Sequence, residues 1–356
     1  MASVEDLVGL YMGFLVALPV ALLGVAANLI NAAVFLHQGV KDCVSVCLLA
    51  LTISDLCSVL SGGIIYTYNL LIHFNVYSVI HSYSFAYVVS YICSMFYDIS
   101  QAVMAFVTLE RCLCVAMPLK FKEIFTLRRA VVIVSALYIF TVAAYVPHYV
   151  STGLISRWDP TTNTTRLFLW VADYRPDVQL YLRFFLQTVM AALCQAVVLV
   201  STYVMVRGLK ESTKFRQRRE VATPPNVNGE TKEDPSRTKK EVQAAKSDSG
   251  KEAIGKQGQG QLLSEKNLRV VKTVTALAIL SLVCNSVRLV VVLINRVVSG
   301  LALGGRFHNV IILMSVGTFV FQTINASANI LVYYNMNASF RNTLKTLIIC
   351  KIRSLS

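Results

Sequence analysis

Seven long apolar stretches run through this 356-residue chain, and they decide which solvent it can fold in. They cover about 10–36, 44–71, 83–117, 128–151, 178–206, 268–298 and 308–334. Each exceeds the ~20 residues that a helix needs to cross a hydrocarbon core of about 30 Å. Membrane-spanning strands would need roughly 10 residues with polar alternation, a pattern not found in these stretches. Charged residues make up only 15% of the chain, against roughly 25% in a soluble domain. The expected fold is therefore all-α, a single bundle of seven transmembrane helices. The first stretch is too long for a signal peptide and follows Glu5 and Asp6 rather than basic residues, so it reads as a retained first helix.

Lys and Arg set the orientation. With the N-terminus outside, the inner connections and tail hold Lys41, Lys120, Lys122, Arg128, Arg129, Arg341, Lys345, Lys351 and Arg353, plus a dense set from Arg207 to Lys272. The outer side keeps only a few, such as Arg157, Arg166, Arg175 and Arg306. A multi-pass plasma-membrane protein with its N-terminus out and C-terminus in is expected. The net charge of +14 then faces phospholipid, and no nucleic-acid partner is needed to explain it.

Residues 211–264 turn polar and rich in Gly, Pro, Lys and Glu, which predicts a disordered third intracellular loop. Its ends, Arg207–Arg219 and Glu265–Lys272, read as helical extensions of helices five and six. Residues 335–356 carry an amphipathic stretch, with Phe340, Leu344, Leu347 and Ile348 opposite Arg341 and Lys345, suited to a helix lying in the inner interface. Cys350 at its end reads either as a palmitoylation site or as a plain buried thiol. The nine cysteines all sit in or beside apolar stretches, which predicts neither an exposed disulfide nor a zinc site. Asn163-Thr-Thr165 is a glycosylation sequon on the outer side, whereas Asn337-Ala-Ser339 falls inside.

Polar side chains within a membrane span are costly, so each is a functional candidate. Asp55 lies deep in the second stretch, with Asn28, Ser100, Asn325 and Asn329 at similar depth in other helices. Two readings stay open. These oxygens form a cage for a small hard cation such as sodium, or they are interhelical hydrogen bonds worth about 1 kcal/mol each. Glu110-Arg111-Cys112 marks the inner end of the third stretch, followed by Pro118, Leu119 and Lys120. The seventh stretch ends in Asn325-Ala-Ser-Ala-Asn329-Ile-Leu-Val-Tyr333 before Phe340-Arg341.

Taken together in order and spacing, these motifs resemble the rhodopsin-like (class A) G-protein-coupled receptors. The Leu51-x-x-x-Asp55 of helix two, the Glu110-Arg111-Cys112 variant of the family's Asp-Arg-Tyr and the Asn-x-x-x-Asn-x-x-x-Tyr ending of helix seven carry the resemblance. It implies an activation switch in which Arg111 is restrained by Glu110, with Asn329 nearby, while Tyr203 and Tyr333 swing in to hold the active state. It places Asn28, Asp55, Ser100, Asn325 and Asn329 at the family's sodium site. A heterotrimeric G protein would meet Arg111, Pro118, Leu119 and Lys120, together with Arg207, Lys210, Lys266 and Arg269. Receptor kinases and arrestin are further implied partners.

The sequence also departs from that pattern. The family's outer disulfide has neither partner, since Ala86 stands at the helix-three position and 151–179 holds no Cys, which predicts a looser outer loop. Helix four lacks its usual Trp. Helices five and six contain no Pro, and Ile330 stands where helix seven normally has one. Helix six has Asn285 in place of the aromatic toggle and Asn267 in place of the glutamate that partners the switch arginine. In its Pro-free seventh-helix ending the chain is similar to gastropod chemosensory-type receptors.

The ligand pocket implied by the family lies between the outer halves of helices three, five, six and seven, where Cys93, Tyr97, Asp98, Gln187, Asn285, Arg288 and Phe319 fall. Arg288 is expected to meet an acid, either Asp98 or an anionic ligand group. Cys93 stands where amine receptors keep an aspartate, which disfavours a simple monoamine; Tyr91 and Tyr97 would add lining. Thr323 occupies the position of the retinal-binding lysine, so no retinal cofactor is expected. A transporter or channel using Asp55 would call for internal repeats, and an intramembrane hydrolase for paired Asp or a Ser–His dyad, and neither pattern is visible. An extracellular ligand, a G protein and the bilayer are the expected partners, and no catalysis is expected.

Overall fold

The computed structural model describes residues 13–74, 76, 78–117, 125–222, 265–298 and 307–355. Helix α1 opens with a π turn over Gly13–Ala17 and continues as Leu18–Gln38; α2 spans Cys43–His73, α3 Ser82–Ala116 and α4 Leu127–Val150. A hairpin of β1 (Thr152–Asp159) and β2 (Thr164–Val171) follows. Helix α5 starts at Arg175–Tyr181, passes through a π segment at Leu182–Met190 and resumes as Ala191–Ala222. Then come α6 (Glu265–Val297), α7 (His308–Met336) and α8 (Ala338–Leu355). Helices α1 to α6 are each long and apolar enough to cross a membrane, and α7 runs for 29 residues through the seventh apolar stretch. The chain is a seven-helix membrane bundle.

The outer surface of that bundle carries Leu22, Leu23, Leu36, Ile139, Leu199, Val200, Val283 and Leu331, all exposed. Water would penalise such a surface, whereas lipid tails solvate it. Inside, α3 is the central strut, packing against α2, α4, α5 and α6. Close packing at one point depends on the absence of a side chain: a Cβ on Gly62 of α2 would collide with the ring of Phe319 of α7.

Local chemistry sets the helix ends. The Asp42 carboxylate accepts from the Ser45 amide at 2.9 Å and caps α2, and Thr126 caps α4 through the Arg129 amide. Arg341 reaches back to the carbonyls of Tyr334 and Asn335 at 2.7 and 2.8 Å, satisfying the end of α7. Phe340 of α8 is fully buried, its ring packed with Phe35 and Tyr333 at 5.7 and 5.5 Å. Leu344 and Leu347 share that inward face, while Ile348 and Cys350 are exposed, so the buried stripe of α8 is narrower than its sequence suggests.

Three local features differ from the sequence reading. Helix α5 carries its backbone to Ala222, into the segment expected as loop; residues 223–264 lie outside the described residues. In place of a proline kink α5 has a nine-residue π segment, where Thr188 donates to the Arg183 carbonyl five residues back at 2.8 Å. Such insertions bend and widen a helix without proline.

The third difference is the second outer loop, which forms an ordered antiparallel hairpin registered from Thr152 opposite Val171 to Asp159 opposite Thr164. All nine cysteines are free, and hydrogen bonds hold the hairpin where the family uses a disulfide. Leu167 ties β2 to the segment before α3, accepting from the His81 amide at 2.9 Å and donating to the Val79 carbonyl at 2.8 Å, and the Leu169 amide donates to Ser84 of α3 at 2.8 Å. Buried Arg166 donates to the carbonyls of Ser78 and Ile80 at 3.0 and 3.1 Å while pairing with Asp159 at 3.2 Å. Asn163 stands exposed at the hairpin turn with φ of +52°, a left-handed conformation that Asn tolerates better than most residues.

Candidate functional site

The polar groups of the bundle interior form three layers along α3. At the end opposite the hairpin, Glu110 and Arg111 of α3 are both buried, and Arg111 Nη2 lies 2.5 Å from Glu110 Oε1. Adjacent helical residues face different sides, so this contact requires the guanidinium to fold back along its own helix. Tyr333 of α7 is fully buried in the core that joins α1, α7 and α8, its ring against Phe35 and Phe340. Tyr203 of α5 is not gathered into this layer. It is 61% exposed, with Arg207 beside its hydroxyl at 3.5 Å, so the inward role implied by the resemblance is not populated in this arrangement.

The middle layer centres on Asp55 of α2. Its two oxygens accept from Ser100 of α3 at 2.6 Å and from Asn329 of α7 at 2.9 Å. Both partners are neutral, and the carboxylate makes no ion pair among the described residues. The amide oxygen of Asn329 is buried beside it without a partner. Asn28 stands apart from this group, donating instead to the carbonyls of Gly24 and Ala326 at 3.0 and 3.2 Å. It thereby ties α1 to α7. Asn325 is buried on α7 but makes no described hydrogen bond to Asp55. Asp55, Ser100 and Asn329 offer the hard oxygen donors that an alkali cation takes, and the unpartnered Asn329 oxygen is an acceptor left over for one.

The layer nearest the hairpin joins α3 to α6. Arg288 Nη1 lies 2.8 Å from Asp98 Oδ1, and the guanidinium sits over the Tyr97 ring at 4.9 Å. The second Asp98 oxygen accepts from Tyr145 of α4 at 2.6 Å. One helical turn further in, Asn285 of α6 accepts from the Tyr97 hydroxyl and donates to Gln101 and to Ser281, the last at 2.9 Å. Thus Asn285 works as a polar tie between α3 and α6 where the family has an aromatic ring.

Other expected pocket residues scatter. Cys93 turns toward α2, donating to the Ser58 carbonyl at 3.3 Å, and is buried in that interface. Phe319 packs on Tyr66 at 5.0 Å against α2. Gln187 is half-buried within the π segment of α5. On the opposite end, Arg207, Lys210 and Arg269 are exposed. Pro118, Leu119, Lys120 and the Lys266 side chain lie outside the described residues.

The comparison with known families decides the class. The family model described as 7 transmembrane receptor (rhodopsin family) matches residues 27–343. The chain belongs to this receptor family. No curated protein matches it. As a rhodopsin-family receptor it is a membrane-embedded G-protein-coupled receptor, and the family is one of receptors rather than of enzymes.

Sequence reasoning about this receptor missed two groups. Tyr145 could not be tied to Asp98 without the α3–α4 crossing. Arg175 reads from the sequence only as an outer-side charge, and His148 lies in the last turn of α4 with nothing in the sequence to pair the two. In the structure Arg175 is buried and meets Tyr87, His148 and Ser151. The signal available was its place beside Pro176, which marks the first turn of α5 but not the direction of the side chain.

Proposed function

We propose that this receptor binds an extracellular ligand at the hairpin end of the bundle and activates a heterotrimeric G protein at the other end, through rearrangement of α6 against α3. The Lys and Arg distribution supports an N-terminus outside and a C-terminus inside at the plasma membrane. The observation that carries the reading is the buried Glu110–Arg111 pair at 2.5 Å at the foot of α3. A buried arginine held by a carboxylate of its own helix is a charge that can be handed to another partner when the helices part. Arg111 is the group that would enter the G-protein interface, flanked by Arg207, Lys210 and Arg269 on the exposed ends of α5 and α6. Pro118, Leu119, Lys120 and Lys266 would complete that surface.

Ligand recognition is assigned to the layer that joins α3 and α6. Arg288 is the specificity-determining residue: a ligand carrying a carboxylate or similar group competes with Asp98 for it. Tyr97, Asn285, Gln187 and Phe319 shape the walls, and Cys93 acts through its packing on α2. Asp55 with Ser100 and Asn329 would hold a sodium ion, whose charge would stabilise the resting arrangement by neutralising the carboxylate. A glycan on Asn163, a palmitoyl chain on the exposed Cys350 and regulation by receptor kinases and arrestin complete the proposal.

The test is a G-protein dissociation screen of peptide, amino-acid and odorant libraries on cells expressing the receptor, with Arg111→Ala as control and whole-cell current recorded in parallel. The reading expects ligand-dependent dissociation that Arg111→Ala abolishes, with no ligand-gated current. A ligand-gated current that persists in Arg111→Ala would replace the receptor with a channel.

A further inference from the structure

The geometry points to an anion-binding site at the hairpin end of the bundle, built from Arg175 and His148 and separate from the Asp98–Arg288 layer. It would take a small anion that accepts hydrogen bonds, either chloride or the carboxylate of an extracellular acid.

Four arginines are buried among the described residues: Arg111, Arg166, Arg175 and Arg288. Three of them hold a carboxylate, from Glu110, Asp159 and Asp98 respectively. Arg175 holds none. Its Nε and Nη2 donate to the Tyr87 hydroxyl at 3.2 and 2.7 Å, its Nη1 to Ser151 Oγ at 3.1 Å, and its Nη2 lies 2.5 Å from His148 Nδ1. The rings of Tyr87 and Tyr91 lie 5.7 and 5.4 Å from its guanidinium carbon. Every one of these partners is neutral. Asp173 and Asp177, its neighbours in sequence, are exposed and make no described ion pair with it. A guanidinium does not lose its proton in proteins, so its charge has to be met by something else.

His148 supplies the second observation. An arginine can only donate, so Nδ1 accepts, the ring is neutral and the proton sits on Nε2. That Nε2 is buried with no hydrogen-bond partner, although the residue is fully buried and stacked on Tyr91 at 3.5 Å. The hydroxyl of the next residue, Tyr149, is likewise buried without a partner. One end of the bundle therefore holds a cation with no carboxylate partner among the described residues, an N–H lacking an acceptor and an unused hydroxyl. A water molecule would answer the N–H and the hydroxyl but not the charge. An anion accepting from Nε2 satisfies the N–H and sets a negative charge across the imidazole ring from Arg175, which it reaches through His148 rather than by direct contact.

The full-length receptor, purified into nanodiscs, tests this directly. Its thermal unfolding midpoint is followed while chloride or acetate replaces isethionate at constant sodium and ionic strength. We expect at least one of the two to raise the midpoint saturably in the wild type, and the effect to vanish in Arg175→Gln. A rise with chloride alone assigns an inorganic ion, and a rise with acetate assigns a carboxylate. If Arg175→Gln does not survive purification, His148→Phe keeps the stacked ring, removes the Nε2 donor and should weaken the apparent affinity by about tenfold. No saturable rise in the wild type would overturn the proposal, as would a rise of equal size and midpoint concentration in the variant.

Discussion

Arg288 of α6 and Asp98 of α3 form an ion pair at 2.8 Å, buried in the half of the bundle nearest the hairpin, and α6 has no glutamate at position 267 to pair with Arg111 at the other end. In the upper layers α6 is held on α3 by this pair and by Asn285, which adds its hydrogen bonds to Tyr97 and Gln101. Removing one partner of a buried pair leaves an uncompensated charge, at a cost of about 3–5 kcal/mol. That cost falls on the closed arrangement. Asp98→Asn should raise ligand-free G-protein activation by about tenfold, a shift within the usual range of allosteric coupling. The exchanged pair Asp98→Arg with Arg288→Asp should return it toward wild type. A nucleotide-exchange assay on membranes reads both, and unchanged basal activity in Asp98→Asn would remove this lock from the account.

Asp55 provides a second prediction. Its described partners are Ser100 and Asn329, both neutral, so a bound sodium ion would supply the missing positive charge. Replacing potassium by sodium should raise the thermal midpoint of the wild type. Asp55→Asn should remove that difference while raising the midpoint in potassium, because the buried charge is gone. A wild-type midpoint indifferent to the cation would mean that the layer is a hydrogen-bond knot alone.

Acid should loosen the hairpin. Asp159 is held near pKa about 2, chiefly by hydrogen bonds from Thr161 and also by Arg166. A carboxylate depressed in the folded state stabilises it fully above the ordinary value of 3.8 and loses that contribution as pH falls toward 2. His81, beside Arg166, is shifted downward by burial and then by that positive charge. Its protonation weakens the fold as pH drops below the usual histidine range. The protection factors of the 152–171 amides, taken against the intrinsic exchange rate at each pH, should therefore fall first as pH drops through 6, and again below 4. Arg166→Ala should produce fast exchange at neutral pH. Protection unchanged in that variant would contradict the hydrogen-bonded strap.

Packing of α2 on α7 can be tested at Gly62. A valine there would collide with the Phe319 ring, and overpacking of this kind costs about 1–3 kcal/mol. Gly62→Val should lower the thermal midpoint by several degrees, and adding Phe319→Ala should recover most of the loss. Additive losses in the double variant would separate the two residues.

How far the sequence revealed this fold depends on which physical signal each part carries. Helices are legible because a bilayer demands about 20 apolar residues per crossing, and helix α2, at Cys43–His73, lies within two residues of its apolar stretch. The Asp98–Arg288 pair could be anticipated because Asp98 is an acid at the right depth on α3. The hairpin was not legible: Thr152–Asp159 reads TGLISRWD, with no alternation, and its pairing rests on Arg166 and Ser84, far apart in sequence. The π segment in α5 leaves no mark in composition. Arg175 illustrates the remaining limit, since the direction in which a loop-edge arginine turns is fixed by Tyr87, His148 and Ser151 on other elements.

The central claim is that Arg111 transmits an α3–α6 rearrangement to a G protein. Its most direct test is ligand-free nucleotide exchange on purified heterotrimers of each Gα class, comparing wild type, Asp98→Asn and Asp98→Asn with Arg111→Ala in nanodiscs. The account predicts that Asp98→Asn accelerates exchange on at least one class and that adding Arg111→Ala abolishes the acceleration. Acceleration by Asp98→Asn that survives the loss of Arg111, or none on any class, would contradict it.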